Sequence, residues 1–131
     1  MDRQTAEQKA IEILKQVVDA LAEERYDDIP KLAELGDGIP KPLGDNVAEV
    51  FQMWGWEQTP PIDHWTEERV TIPTNPCYQQ LNFYHWFDDG RGFHADYDLA
   101  SGGELTDMTL QMDFFYEGDG LRPVFLDVHV M

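Results

Sequence analysis

The chain has 131 residues and carries 26 Asp and Glu against 9 Lys and Arg, a formal charge of −17 with neutral histidines. Hydrophobic residues make up 42 % and aromatics 12 %, too apolar for a disordered acidic tail and suited in length to one domain spanning 1–131. An isoelectric point near 4.2 excludes nucleic acid and anionic membrane as direct partners, since both select basic patches, and the lone Cys77 excludes disulfide staples and Cys-rich zinc sites.

The opening Met1-Asp2-Arg3-Gln4-Thr5 reads as the start of a polar helix, not as a secretory leader. No apolar run approaches the roughly 18–20 residues that cross a bilayer. A cytoplasmic protein is expected.

From Thr5 to Tyr26 the pattern is helical. Thr5 and Gln8 have capping-box spacing. Ala10, Ile11, Ile13, Leu14, Val17, Val18 and Leu21 fall on one stripe, with Glu12, Lys15, Gln16, Asp19 and Glu23 opposite. Asp28 and Pro30 predict a short second helix that turns Leu32 and Leu35 inward before Gly36 ends it. Asp45 or Asn46 caps a third, carrying Val47, Val50, Phe51 and Trp54 up to Gly55. Pro60, Pro61, Pro73 and Pro76 make 59–76 a loop with one edge strand at 69–72.

After Cys77 the period becomes two. Leu81, Phe83, His85 and Phe87 alternate with Gln80, Asn82, Tyr84 and Trp86, and a glycine turn at 88–92 follows. Phe93, Ala95, Tyr97 and Leu99 form a second apolar row, Met108, Leu110, Met112 and Phe114 a third, and Val124, Leu126, Val128 and Val130 a fourth. Helices first and a meander second predict an α+β domain, one long and two short helices on a four-stranded antiparallel sheet. The register predicts Leu110, Met112, Leu126 and Val128 nearly inaccessible, and Thr109, Gln111 and Asp127 not.

The opposite sheet face is the candidate site. It sets Tyr84, Trp86, Phe115 and Phe125 among Asp96, Asp98, Asp107, Asp113 and Asp127, with His94 and His129 nearby. Aromatics among carboxylates suit a basic protein partner, the rings anchoring and the charges steering. A covering loop or a homodimer would account for the same aromatics. His94-Ala95-Asp96 and Asp127-Val128-His129 each pair a carboxylate with an imidazole, but any alternating strand offers that spacing, so no metal site is assigned. No nucleophile, phosphate loop or paired motif supports acid–base chemistry by these residues, and no catalytic residue or cofactor is assigned. His85, on the inward row, reads as a core histidine with a partner. Trp54, Trp56, Trp65 and Tyr78 could instead line a hollow between helix and sheet that takes a small apolar ligand.

Leu105-Thr106-Asp107-Met108-Thr109-Leu110-Gln111-Met112 and Phe125-Leu126-Asp127-Val128-His129-Val130 resemble the strands of an uncharacterised family of small bacterial proteins. Those have an N-terminal helix, a Ser/Thr-Asp-Leu-Thr-Leu strand and a closing Asp-Ile-His-Val strand. Met108 and Val128 stand here for the family's Leu and Ile. The layout also resembles the cone-shaped folds of cystatins and nuclear transport factor 2. The resemblance implies a cone-like sheet and kinship with acidic immunity proteins of toxin systems, which neutralise a basic toxin or nuclease. It supplies no catalytic residues. The competing expectation is a ligand-binding or enzymatic protein that uses the helix–sheet hollow.

Overall fold

In the computed structural model, which describes residues 2–36, 43–53, 61–65, 80–85, 90–102 and 104–130, the first helix begins two residues before Thr5. Side chains within those spans are described except at 43–46, 104–105, 107 and 129–130. Helix α1 spans Arg3–Ala22 with Asp2 as its N-cap. The Asp2 carboxylate accepts from the Thr5 backbone N–H at 2.7 Å, a bond that holds its pKa below the usual carboxylate value. A carboxylate caps a helix start better than threonine, because it accepts the bond as an anion beside the positive dipole end.

The helix ends at Ala22, short of Tyr26. Arg25 N–H donates to the Ala20 carbonyl at 2.8 Å and Glu24 N–H to that of Leu21 at 3.2 Å, while Glu24 takes φ +57°. This is a Schellman stop with glutamate where glycine is usual. A 3-10 turn, Tyr26–Asp28, leads into α2, Ile29–Leu32.

Leu35 does not join that helix. Ala33 is already extended, at φ −149° and ψ 146°, and Glu34–Leu35 form strand β1. Gly36 N–H donates to the Phe125 carbonyl at 2.8 Å, so hydrogen bonds to an open strand edge outweigh the helical spacing. Helix α3 spans Leu43–Met53, and Val47 and Phe51 are buried as its stripe predicts. Strands β2 (Leu81–Tyr84), β3 (Gly92–Ser101), β4 (Glu104–Glu117) and β5 (Gly120–Val130) complete the set.

The strands form one mixed sheet in the order β1-β5-β4-β3-β2. The expected four-stranded antiparallel sheet is thereby corrected to five strands among the described residues, with β1 running parallel to β5. The expected strand at 69–72 lies outside the described residues.

One sheet face packs against the helices. Ala6, Ala10, Leu14, Val17, Val18 and Leu21 of α1 join Phe93, Tyr97, Leu110, Met112 and Phe114 in the core, where each valine, leucine, methionine or phenylalanine contributes about 1.5–3 kcal/mol on full burial. Phe93 stacks on Phe114 with ring centroids 5.4 Å apart. His85 stacks on Phe93 at 4.8 Å and places Nε2 3.3 Å from Glu7 of α1, a core histidine with a partner. Gly92 admits β3 to this packing, since a Cβ there would lie 2.1 Å from the Phe114 carbonyl oxygen.

The β4–β5 register contains an extra residue. Gln111 pairs with Asp127, yet Met112 pairs with Phe125, so Leu126 is a β-bulge. Alternation along β5 inverts there. Phe125 turns to the core and is fully buried, which corrects its placement on the outer face. Leu126, expected to be inaccessible, is half-exposed, and so is Val124. Leu110, Met112 and Val128 are buried as expected. Thr109, expected to be accessible, is buried at the centre of the other face.

Candidate functional site

The sheet face away from the core is built from rows of paired residues. Asn82, Asp96, Gln111 and Asp127 align across β2 to β5, and beside them run Tyr84, His94, Asp113 and Val124. Strand pleating points every member of a row to the same side. Sequence alternation thus assembles one largely polar face from four strands whose row members are spread over residues 82–127 of the chain.

His94 is its centre. Nε2 lies 2.6 Å from Asp96 Oδ1 and Nδ1 lies 2.8 Å from Asp113 Oδ1. The His94 and Asp96 side chains are 7 % and 11 % exposed, and that of Asp113 is 19 % exposed. Both nitrogens face carboxylate oxygens, so two bonds require two protons shared among three groups. An imidazolium flanked by two carboxylates meets that requirement, as does a neutral ring beside one protonated carboxyl. Gln111 Nε2 donates to the same Asp96 oxygen at 3.1 Å. The Tyr84 ring sits 6.2 Å from the imidazole.

Asp98 lies one pleat along. Thr109 Oγ1 donates to its Oδ1 at 2.7 Å. Burial pushes the Asp98 carboxyl above its ordinary pKa, and the threonine bond only partly opposes this.

Toward β5 the face opens. The Arg122 guanidinium lies over the Phe115 ring at 4.8 Å and that of Arg91 at 5.6 Å. Arg122 also reaches Glu34 at 2.8 Å and Glu117 at 3.5 Å. Between β1 and β4 lies a shallow hollow of about 360 Å³, floored by Leu35, Val124 and Leu126 and edged by Phe115, Asp113 and Glu34.

The structure therefore sorts the candidate residues. Tyr84, Asp96, Asp98, Asp113, Phe115 and Asp127 share the outer face, and Phe125 does not. Asp96 is buried and bonded to His94 and Gln111, which corrects its reading as a freely exposed steering charge. Trp86, Trp54, Trp56 and Tyr78 lie outside the described residues, as does the side chain of Asp107. Trp65 stacks on Tyr97 at 5.0 Å, and its buried Nε1 has no hydrogen-bond partner among the described residues. Among those residues no three His, Cys, Asp or Glu side chains come together to hold a metal. Sequence reasoning missed Val124, Leu126 and Arg122. The unbroken apolar triplet Val124-Phe125-Leu126 was the available sign, because a strict alternation cannot bury all three.

The family described as "Domain of unknown function (DUF7668)" matches residues 18–131. The chain belongs to this domain family. The matched span contains the whole sheet and therefore both the His94 network and the hollow beside Phe115. Searches of curated proteins and of solved structures each found no match. No helix among the described residues is long and apolar enough to cross a membrane.

Proposed function

We propose that this domain is a protein-binding module that engages a basic partner through the outer sheet face, as an immunity or inhibitor protein covers the cationic site of a toxin or nuclease. The observation that carries the reading is the mixed lining of that face near β5. Phe115, Val124 and Leu126 stand half-exposed beside Asp113 and Asp127, with the exposed Glu34 at the edge. Apolar anchors next to carboxylates suit a partner with apolar groups among lysines and arginines. The net charge of −17 would draw such a partner in from a distance. Steering falls to exposed carboxylates such as Glu34, Glu117 and Asp119, because Asp96 is held by His94.

The test is affinity capture from the source cell followed by binding kinetics on the purified partner. A basic partner is expected. Glu34→Gln, Glu117→Gln and Asp119→Asn together should slow its association at low salt, with the difference shrinking near ~0.15 M as charges are screened. Phe115→Ala should speed dissociation. A neutral or acidic partner, or an association rate untouched by the triple substitution at low salt, overturns the reading.

A second reading has one observation in its favour. The buried Nε1 of Trp65 has no acceptor among the described residues, and a small ligand carrying an oxygen in a cone-like helix–sheet hollow would supply one. Saturable quenching of tryptophan fluorescence by such a ligand, abolished in Trp65→Phe, would favour it.

A further inference from the structure

We infer that the hollow between β1 and β4 receives one apolar side chain that is flanked, in the partner's sequence, by lysine or arginine. The inference rests on the basic-partner reading and locates its anchor. Leu35, Val124 and Leu126 give the hollow an apolar floor, and Phe115 forms one wall. Val124 and Leu126 face outward only because the bulge inverts the alternation of β5. A contiguous apolar floor thus arises on a face whose central rows are polar.

The edge chemistry selects the flanking residues. Glu34, Asp113 and Arg122 line the hollow, and Glu117 lies 3.5 Å from Arg122. Arg122 and Arg91 both pack over Phe115, so this ring already accommodates guanidinium groups beside carboxylates. A partner's lysine or arginine would reach the carboxylates that Arg122 pairs with, Glu34 and Glu117. Glu34, Asp113 and Glu117 are met here by Arg122, Arg91 and the His94 ring that Asp113 shares with Asp96, so the pull on a basic flank comes from the excess of acid in a molecule of −17. A second copy of this chain would bring the same charge and be repelled. The volume of about 360 Å³ lies at the low end of the roughly 300–1,000 Å³ typical of small-molecule pockets. The hollow is also open, whereas a small ligand needs most of its surface enclosed. An anchoring side chain, held in place by the rest of its own protein, suits this open shape.

The test is a titration of the full-length, 15N-labelled protein with three synthetic peptides at about 0.15 M salt, where long-range attraction is largely screened. One peptide alternates arginine and lysine with two leucines, the second replaces leucine by serine, and the third replaces the basic residues by glutamate. The first should move the amide resonances of Phe115, Val124 and Leu126 saturably, and the serine peptide should bind about tenfold more weakly, a loss of about 1.4 kcal/mol. Leu126→Ser should weaken the leucine peptide by a similar factor, and Glu12→Gln, on the exposed side of α1, should not. The shift map on the unmodified protein stands even if the Leu126 variant fails to fold. Equal binding of leucine and serine peptides, or shifts confined to other surfaces, overturns the anchor and leaves the basic-partner reading standing. No binding by either basic peptide, or preference for the glutamate peptide, overturns both. Self-association that protects the hollow also overturns the anchor.

Discussion

His94 and Asp98 lie on one strand of one face, two pleats apart, and are held in opposite ways. His94 places a carboxylate oxygen at each ring nitrogen, so the buried charge of Asp96 has a partner that can carry the opposite sign. Among the described residues Asp98 has only a neutral hydroxyl donor, that of Thr109, and burial raises its pKa. A carboxyl whose folded pKa exceeds its unfolded value, about 3.9, contributes stability below the unfolded value. That contribution is lost as pH rises through the folded one. Ionised Asp98 thus costs stability at neutral pH. Asp98→Asn keeps an oxygen for the Thr109 hydroxyl and removes the charge. It should raise the unfolding free energy measured in urea at pH 7, by less than about 1 kcal/mol because solvent still screens a half-buried group. The gain should vanish near pH 3. Equal gains at both pH values would mean that the charge is not the cause.

At the scale of elements, β5 decides which residues are core and which are surface. Its bulge buries Phe125 and exposes Leu126. Phe125→Ala should therefore cost about 3–5 kcal/mol through lost burial and the cavity left behind. Leu126→Ala should cost about 1 kcal/mol, since a half-exposed leucine buries only part of its surface. Urea unfolding of the two variants checks the order, and an unbroken alternation requires the reverse. This is also where sequence reading failed. Val124 and Leu126 fit the apolar row of a regular strand, and nothing local marks which of three consecutive apolar residues is the extra one. The register against β4 settles it, through a comparison of long-range pairings. The first helix was more legible, because its stripe depends on spacing alone, and only its cap and its stop were misjudged. Leu35 illustrates the opposite case. Its helical spacing from Leu32 is real, but an open edge of β5 offers backbone bonds that four residues of helix cannot match.

For the whole molecule, charge is the dominant fact. The described ion pairs apart from those of histidine join Lys15, Arg25, Lys31 and Arg122 to acidic neighbours. Exposed pairs of this kind contribute little to stability, and 26 acidic side chains against 9 Lys and Arg leave an excess of 17 carboxylates. Self-repulsion therefore outweighs pair attraction. Shortening the screening length from roughly 30 Å at 0.01 M to roughly 8 Å at 0.15 M should raise the melting temperature by a few degrees. Calorimetry across that range measures the effect, and a fall on adding salt would mean that the ion pairs win.

Composition, charge and the change of period near Cys77 were enough to determine an acidic α+β domain with its long helix on one sheet face, because those signals are local and repeat along the chain. They also placed Tyr84, Asp96, Asp98, Asp113 and Phe115 on the other face, since pleating assigns sides by parity. The tertiary structure alone decided the parallel strand β1, the inversion at Leu126, the enclosure of His94 by two carboxylates and the hollow beside Phe115. Each depends on which strand meets which, and at what register. Parity along one strand carries no information about its neighbour, so the chemistry of this face became visible only once the strands were aligned.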